Sequence, residues 1–279
     1  MDMASDYMVQ IRDLLAAQGG RYLPEEELAR RLGCSQAEIQ EALAALEQQG
    51  GQLDRLPGLG AALRDGPDQL TEQAVTACLR ACGSSRPAPI CFQEIDSTNA
   101  YLKRTPGLPH GTAVLADCQT AGRGRSGRSF QSPSGKGVYL SLLLRPALAP
   151  EGLMPVTAMT AVAVCDAVER ACGTRPQIKW TNDLLLGGKK IAGILTEMTL
   201  HTGSVEALII GVGINVRQVA ADFTPEVAEM ATSLSAALGK AVSRPHLAAE
   251  MLAALDRMGD ALGGDLTAWV ERRRPSGLR

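Results

Sequence analysis

From Met8 to Leu46, apolar positions recur at helical spacing. Met8–Ala17 carries one amphipathic stripe, and Pro24 opens a second helix. Glu25, Glu26 and Glu27 fill its first turn, where the helix dipole favours acids. Gly33 stops that helix, and Ser35 caps a third running through Ile39, Leu43 and Leu46. Leu28-Ala29, Gly33, Ile39 and Leu43 have the spacing of a helix-turn-helix. Leu53–Leu63, broken by Pro57-Gly58 and Gly60, fits a β-wing. A connecting helix over Thr71–Cys82 and the linker Ser84–Pro89 come next.

Beyond Ile90 strands dominate. Ile90–Ile95, Thr112–Asp117 and Val138–Leu144 are predicted strands. A helix starts at Ser97-Thr98-Asn99 and runs through Lys103, and a long buried helix covers Pro155–Cys172. A meander follows over Gln177–Trp180, Leu184–Leu186, Lys190–Thr199 and Val205–Ile210, ending in Gly211–Asn215. Helices over about His246–Leu262 and Leu266–Arg273 finish the pattern. Strands arriving in runs favour an α+β fold over a doubly wound sheet. The expected organisation is a winged helix-turn-helix over 1–66, a connecting helix and linker over 67–89, a larger domain over 90–273 and a tail over 274–279.

Composition narrows the function. The 279 residues are 45% apolar but only 3% aromatic, so the cores must be aliphatic. A net charge of −2 excludes a globally basic nucleic-acid binder. Residues 1–66 hold six arginines and no lysine against eleven acids, a net of −5. The seven cysteines are odd in number and irregularly spaced, and Cys78 and Cys82 have no neighbours to complete a metal set. Reduced thiols and a cytoplasmic location are expected. Met1–Asp6 has no basic start for a signal peptide. Leu153–Val168, the most apolar stretch, is expected to be too short for a bilayer and runs into Asp166, Glu169 and Arg170.

The chemistry concentrates in Gly122-Arg123-Gly124-Arg125-Ser126-Gly127-Arg128. Its glycines match G-x-G-x-x-G, but the dinucleotide fingerprint needs a helix directly after the loop. Ser129–Gly137, with Pro133 and two glycines, allows none. A P-loop fails for want of Gly-Lys-Ser/Thr. Three arginines among glycines point instead to an anionic partner approached closely by backbone. Lys179, in Ile178–Asp183, is either a surface strand lysine or a group that stabilises developing negative charge. Asp96–Asn99 reads as an N-cap or as hydrogen bonders for a polar ligand head. Gln119 and Asn215 sit at strand ends, where turn and ligand roles are both open. Lys189 and Lys190 beside Gly187-Gly188 read as solvated hairpin charges. No histidine lies in a motif with a nucleophile, so positioning and electrostatics carry the chemistry.

Glu94–Asn99, Gln119–Arg128, Ser132-Pro133, Lys179–Asp183, Lys190–Leu195 and Gly211–Asn215, in that order, closely resemble the catalytic domain of biotin–protein ligases over about residues 90–273. The preceding helix-turn-helix resembles the repressor domain of bifunctional members. The resemblance implies a mixed-sheet, class II synthetase-like catalytic domain and a two-step reaction. Biotin and ATP, with Mg2+, give biotinyl-5′-adenylate, and a lysine of a biotin carboxyl carrier protein or domain then takes the biotin. By the same resemblance Ser97, Thr98, Asn99, Gln119, Arg123, Gly124, Arg125 and Lys179 hold biotin. Arg123, Arg125, Arg128, Asn182 and Asn215 serve ATP, Lys179 and Arg125 are catalytic, and the chain supplies no metal site of its own.

The resemblance allows a homodimer and implies no membrane partner. Three departures stand out. Phe130 replaces a frequent tryptophan, and the recognition helix Gln36–Glu41 presents acids, which disfavours DNA. The wing, Pro57–Ala61, lacks the usual lysine and tyrosine. The family's small SH3-like C-terminal domain is expected to be absent, since the sequence stops at Arg279. Two alternatives stand beside the ligase: a lipoate–protein ligase, whose loop has Arg-Arg before consecutive glycines, and a biotin-sensing transcriptional repressor.

Overall fold

The structure, a computed structural model, describes residues 3–64, 66–146, 149–201 and 204–262. The predicted helix Leu266–Arg273 and the tail lie outside these residues. In chain order the elements are α1 (Met3–Ala16), α2 (Glu25–Leu32), α3 (Gln36–Gln48), β1 (Leu53–Leu56), β2 (Gly60–Leu63), α4 (Glu72–Ala81), β3 (Ile90–Ile95) and α5 (Thr98–Arg104). There follow β4 (Ala113–Gln119), β5 (Gly137–Leu144), α6 (Val156–Cys172), β6 (Gln177–Lys179), β7 (Asp183–Leu186), β8 (Lys189–His201) and β9 (Ser204–Asn215). Three helices close the described chain: α7 (Pro225–Met230), α8 (Leu234–Leu238) and α9 (Arg244–Asp260). Two compact units result, one of residues 1–68 with 234–243 and one of residues 69–233 with 244–279.

The first unit packs α1, α2 and α3 through Ile11, Leu15, Leu28, Ile39 and Leu43, with Leu53 and Ala61 of the β1–β2 hairpin. Its boundaries follow the expected chemistry. Ser35 and Glu38 form a capping box, and Gly33 closes α2 at φ +66°. The segment 234–243 joins by backbone bonds, Tyr22 N–H to Gly239 C=O and Ala241 N–H to Gly20 C=O. The unit's arginines meet its own acids: Arg30 and Arg31 pair with Glu27, Arg55 with Glu25, and Arg64 with Asp68.

The second unit is built on a seven-stranded mixed sheet in the order β3-β4-β5-β9-β8-β7-β6. β3 and β4 run parallel and every other neighbouring pair is antiparallel. Alternation gives the sheet two unlike faces. Leu140, Leu142, Leu144, Ile210 and Val212 turn toward α6 and α9; Thr157 of α6 meets Thr196 of β8 at 2.7 Å. On the other face Tyr139, Ser141 and Leu143 stand across from Gly213, Gly211 and Ile209. Leu102 of α5 packs there with Val114, Leu143, Ala207 and Ile209.

Several boundaries differ from the sequence pattern. β4 runs past Asp117 to Gln119, and β9 continues through its glycines to Asn215. Ladder bonds on both sides of β9 hold those glycines extended despite their low strand propensity. α7 and α8 went unpredicted because five or six residues are too few to reveal a period. The span Pro150–Cys172 is, contrary to expectation, long and apolar enough by composition to cross a membrane. Burial decides against that reading, since most side chains of α6 lie in the protein core.

Candidate active site

A pocket of about 310 Å³ opens on the glycine-bearing face of the sheet. Its floor is β8 and β9, where side chains would leave no room. A Cβ on Gly211 would stand 2.3 Å from Asn99 Oδ1, and one on Gly213 would stand 2.5 Å from the Phe130 ring. Both contacts are below any real separation, so the floor requires glycine at these two positions.

One wall comes from the start of α5. Ser97 caps the helix by accepting from Ala100 N–H at 3.4 Å, and it also lines the pocket. The cap and a place in the lining are therefore compatible in this residue. Ser97, Thr98 and Asn99 are each at least 95% buried, which makes them structural parts of the floor. Gln119 Oε1 accepts the Thr98 N–H at 2.9 Å, and Gln119 Nε2 donates to Ser132 Oγ at 2.9 Å. Ser132 Oγ contacts Phe130 C=O at 3.1 Å, which joins this wall to the root of the arginine loop.

The loop folds back on itself. Gly124 N–H donates to Arg128 C=O at 2.7 Å and Phe130 N–H to Gly122 C=O at 2.9 Å. No helix follows, as the dinucleotide exclusion required. Ser126 at the tip is left-handed, with φ +56°. Arg123, Gly124, Arg125 and Arg128 all line the pocket, and the three arginines are exposed. Arg125 reaches across the mouth to donate to Thr181 Oγ1 at 3.0 Å and Asn182 Oδ1 at 3.1 Å.

The remaining predicted residues separate. Asn182 lines the pocket. Lys179 does not; it is exposed at the end of β6, directly across from the pocket-lining Asp183 in the β6–β7 register. Asn215 is buried away from the lining, where its Nδ2 donates to Thr232 C=O at 3.1 Å and its Oδ1 accepts from Gln218 at 3.3 Å. Lys190, expected to be a solvated hairpin charge, instead lines the pocket and pairs with Asp183 at 2.6 Å. Its membership of the Lys190–Leu195 run was the sequence signal. Glu197 and Ser141 were also missed; both bond Asn99, at 2.9 Å and 2.5 Å. Neither belongs to a motif, because each acts only through a fold contact.

Behind the wall, Asp117 Oδ1 pairs with Arg244 at 2.6 Å, and its Oδ2 accepts from Gly135 N–H at 2.9 Å and from Ser134 Oγ. Burial pushes the Asp117 carboxyl up, but Ser134, Arg244 and Gly135 outweigh it and hold the group below the usual carboxylate range. Burial, chiefly, pushes the Tyr139 phenol well up, with nearby Asp117, Cys118 and Asp222 adding to it against Arg244. Among the described residues no three His, Cys, Asp or Glu side chains cluster as metal ligands. None of the seven cysteines forms a disulfide.

Residues 91–215 match the biotin/lipoate A/B protein ligase family. The bifunctional ligase/repressor BirA of Bacillus subtilis is 34% identical over 257 residues, which span 91% of this chain and 79% of that protein. A biotin–[acetyl-CoA-carboxylase] ligase of Paracoccus denitrificans is 44% identical over 123 residues, 43% of this chain and 51% of that one. Among solved structures, the biotin protein ligase of Aquifex aeolicus in complex with biotin and ATP superposes with a TM-score of 0.52 at 33% identity, over 62% of this chain and 70% of that one. Likeness at this level across both units' length identifies the chain as a member of the biotin–protein ligase family.

Proposed function

We propose that the chain is an ATP-dependent biotin–protein ligase that acts in two steps at this pocket. A biotin carboxylate oxygen attacks the α-phosphorus of ATP, releasing pyrophosphate and forming the mixed anhydride biotinyl-5′-adenylate. The neutral ε-amine of a carrier-domain lysine then attacks the acyl carbon, an amide forms, and AMP leaves. The observation that carries the reading is the convergence of Ser97, Thr98, Asn99 and Gln119 on one pocket with Arg123, Arg125, Arg128 and Asn182. Buried hydrogen bonders suit the uncharged bicyclic head, and exposed guanidinium groups suit the phosphates.

Each side chain then has a role. Ser97, Thr98, Asn99 and Gln119 hold the head, while Arg123 and Arg125 close over biotin and the adenylate. Arg128 and Asn182 face the nucleotide. Lys179 stands directly across from Asp183 in the β6–β7 pair, and in this reading it acts with the pocket-lining Lys190 to stabilise the anhydride oxygens. Asn215 supports the end of β9 through Thr232 and Gln218. Mg2+ enters as the ATP complex, because Asp183, the acid in the lining, is already paired with Lys190.

The acceptor is a biotin carboxyl carrier domain, and free thiols fit a reducing cytoplasm. The first unit's self-paired arginines and acidic α3 disfavour operator binding. ATP-dependent transfer of labelled biotin to a carrier domain, with stoichiometric pyrophosphate, tests the assignment. Transfer of lipoate alone would replace it with the lipoate reading, and salt-sensitive binding to one DNA sequence without transfer would favour a biotin sensor.

A further inference from the structure

Lys190 reaches the pocket against the alternation of its own strand. On β8, Gly193 and Leu195 line the pocket and Glu197 bonds Asn99 on the same face, whereas Thr196 meets Thr157 of α6 on the other. Carried back along the strand, that period puts Ile191 in the pocket and Lys190 on the α6 side. The reverse holds: Ile191 is fully buried and outside the lining, and Lys190 lines the pocket. The cause is a bulge. One step on β7, from Leu184 to Leu185, is matched by two on β8, from Ala192 to Lys190. A Cβ on Gly193 would stand 3.4 Å from Lys190 Nζ, so the ammonium lies over that glycine, 2.6 Å from Asp183.

The bulge is braced by β7 on one side and by a separate segment on the other. The β8–β9 ladder ends at Ala192–Ile214, two residues short of Lys190. There Ala231, just past α7, lies beside Lys190 in a parallel bridge, and Thr232 N–H donates to Lys190 C=O at 2.8 Å. The carbonyl of the same threonine is held from β9, where Asn215 Nδ2 donates to it at 3.1 Å. Gln218 Nε2 donates to Asn215 Oδ1 at 3.3 Å, which fixes the amide with its NH2 toward Thr232. Asn215 thus spans the gap that the end of the ladder leaves.

We infer that Asn215, outside the pocket lining, is a positioning residue that acts through Thr232 on the bulge and so holds Lys190 in the pocket. The inference rests on the ligase reading, in which Lys190 stabilises oxygens that gain charge as the adenylate forms. One ammonium proton goes to Asp183, and two remain for those oxygens. Asp183 anchors the tip of the side chain, and Asn215 anchors its backbone. Without the second anchor the bulge can relax toward regular pairing, which turns Lys190 to the α6 side.

Single-turnover adenylate formation in a double-mutant cycle tests this, because a residue that acts through Lys190 has nothing to lose once Lys190 is gone. Lys190→Met should slow the step by about 10²-fold, the scale of one transition-state donor. Asn215→Ala should slow it by about tenfold to a hundredfold, the cost of a misplaced catalytic group. Its affinities for ATP and biotin should stay within about threefold of wild type. In the Lys190→Met background the same Asn215→Ala change should cost less than about threefold. Should Asn215→Ala fail to fold, Gln218→Met roughly keeps the volume and removes the donor that orients Asn215. It should slow the step by about fivefold, again only while Lys190 is present.

An equal cost of either change in both backgrounds would overturn the inference, since general damage or a direct nucleotide contact persists without Lys190. So would an ATP affinity about tenfold weaker at an unchanged rate in Asn215→Ala, or a wild-type rate in Lys190→Met. Absence of ATP-dependent adenylate formation in wild type would instead remove the functional reading on which the inference stands.

Discussion

The pocket's floor and its mouth are built on opposite plans. At the floor, Thr98, Asn99, Gln119, Ser132 and Ser141 satisfy one another and Ser97 caps α5, all but Gln119 buried. At the mouth, Arg123, Arg125 and Arg128 are exposed and, among the described residues, make no ion pair with an acid. A floor whose geometry is fixed beforehand costs little to occupy and discriminates finely. A mouth of extended, like-charged side chains is completed by the anion that it binds. In the proposed reading, the head of the substrate meets a preformed surface and the reacting end a surface that the substrate helps assemble.

The strongest way to break this contrast is to loosen what braces the floor. Asp117→Asn leaves Arg244 buried beside a neutral group, since the two side chains are 10% and 5% exposed. A loss of about 3–5 kcal/mol in denaturant unfolding is expected, and a change below about 1 kcal/mol would mean that the pair is dispensable. The pH dependence has a definite sign. A carboxyl held below its unfolded value contributes stability above that value and loses it as pH falls through the lowered one. Wild type should therefore weaken in acid more steeply than Asp117→Asn.

At the mouth, Lys179→Ala should slow adenylate formation by about 10²–10³, the cost of one transition-state donor. A wild-type rate in single-turnover assays would reduce Lys179 to an edge-strand charge. On the floor, Gly211→Ala forces Asn99 aside and should weaken biotin binding by about tenfold to a hundredfold with the arginine loop unchanged. Arg125→Gly makes the converse cut. It removes the bonds to Thr181 and Asn182 and should release biotinyl-adenylate about tenfold faster, seen as labelling of bystander proteins. Its biotin affinity should barely move.

The smallest effect belongs to Ser126→Gly. Relief of the left-handed φ is offset by the greater freedom of an unfolded glycine, so stability should shift by no more than about 0.5 kcal/mol. A larger shift would show that the loop tip is as rigid as the floor.

Much of this was legible along the chain because it is local. Ser35 and Gly33 carry their capping chemistry with them, and the spacing of Ile39 and Leu43 sets the buried side of α3. The arginine loop declares an anion by composition, and the missing helix after it excludes a dinucleotide fold. The order of short motifs fixes the family.

What sequence could not decide depends on register between distant strands. Lys190 looks solvated beside its two glycines and becomes a pocket residue only because β8 places it next to Asp183. Asn215, a candidate ligand contact by sequence, stays outside the pocket lining and is bonded to Thr232 and Gln218 at the end of β9. Glu197 carries no signature, yet alternation across β8 and β9 sets it under Asn99. Residue type and spacing determine which groups are present and the elements that carry them. Only the paired sheet determines which face each group joins, because a side chain's side is set by strand register, and register is a tertiary property.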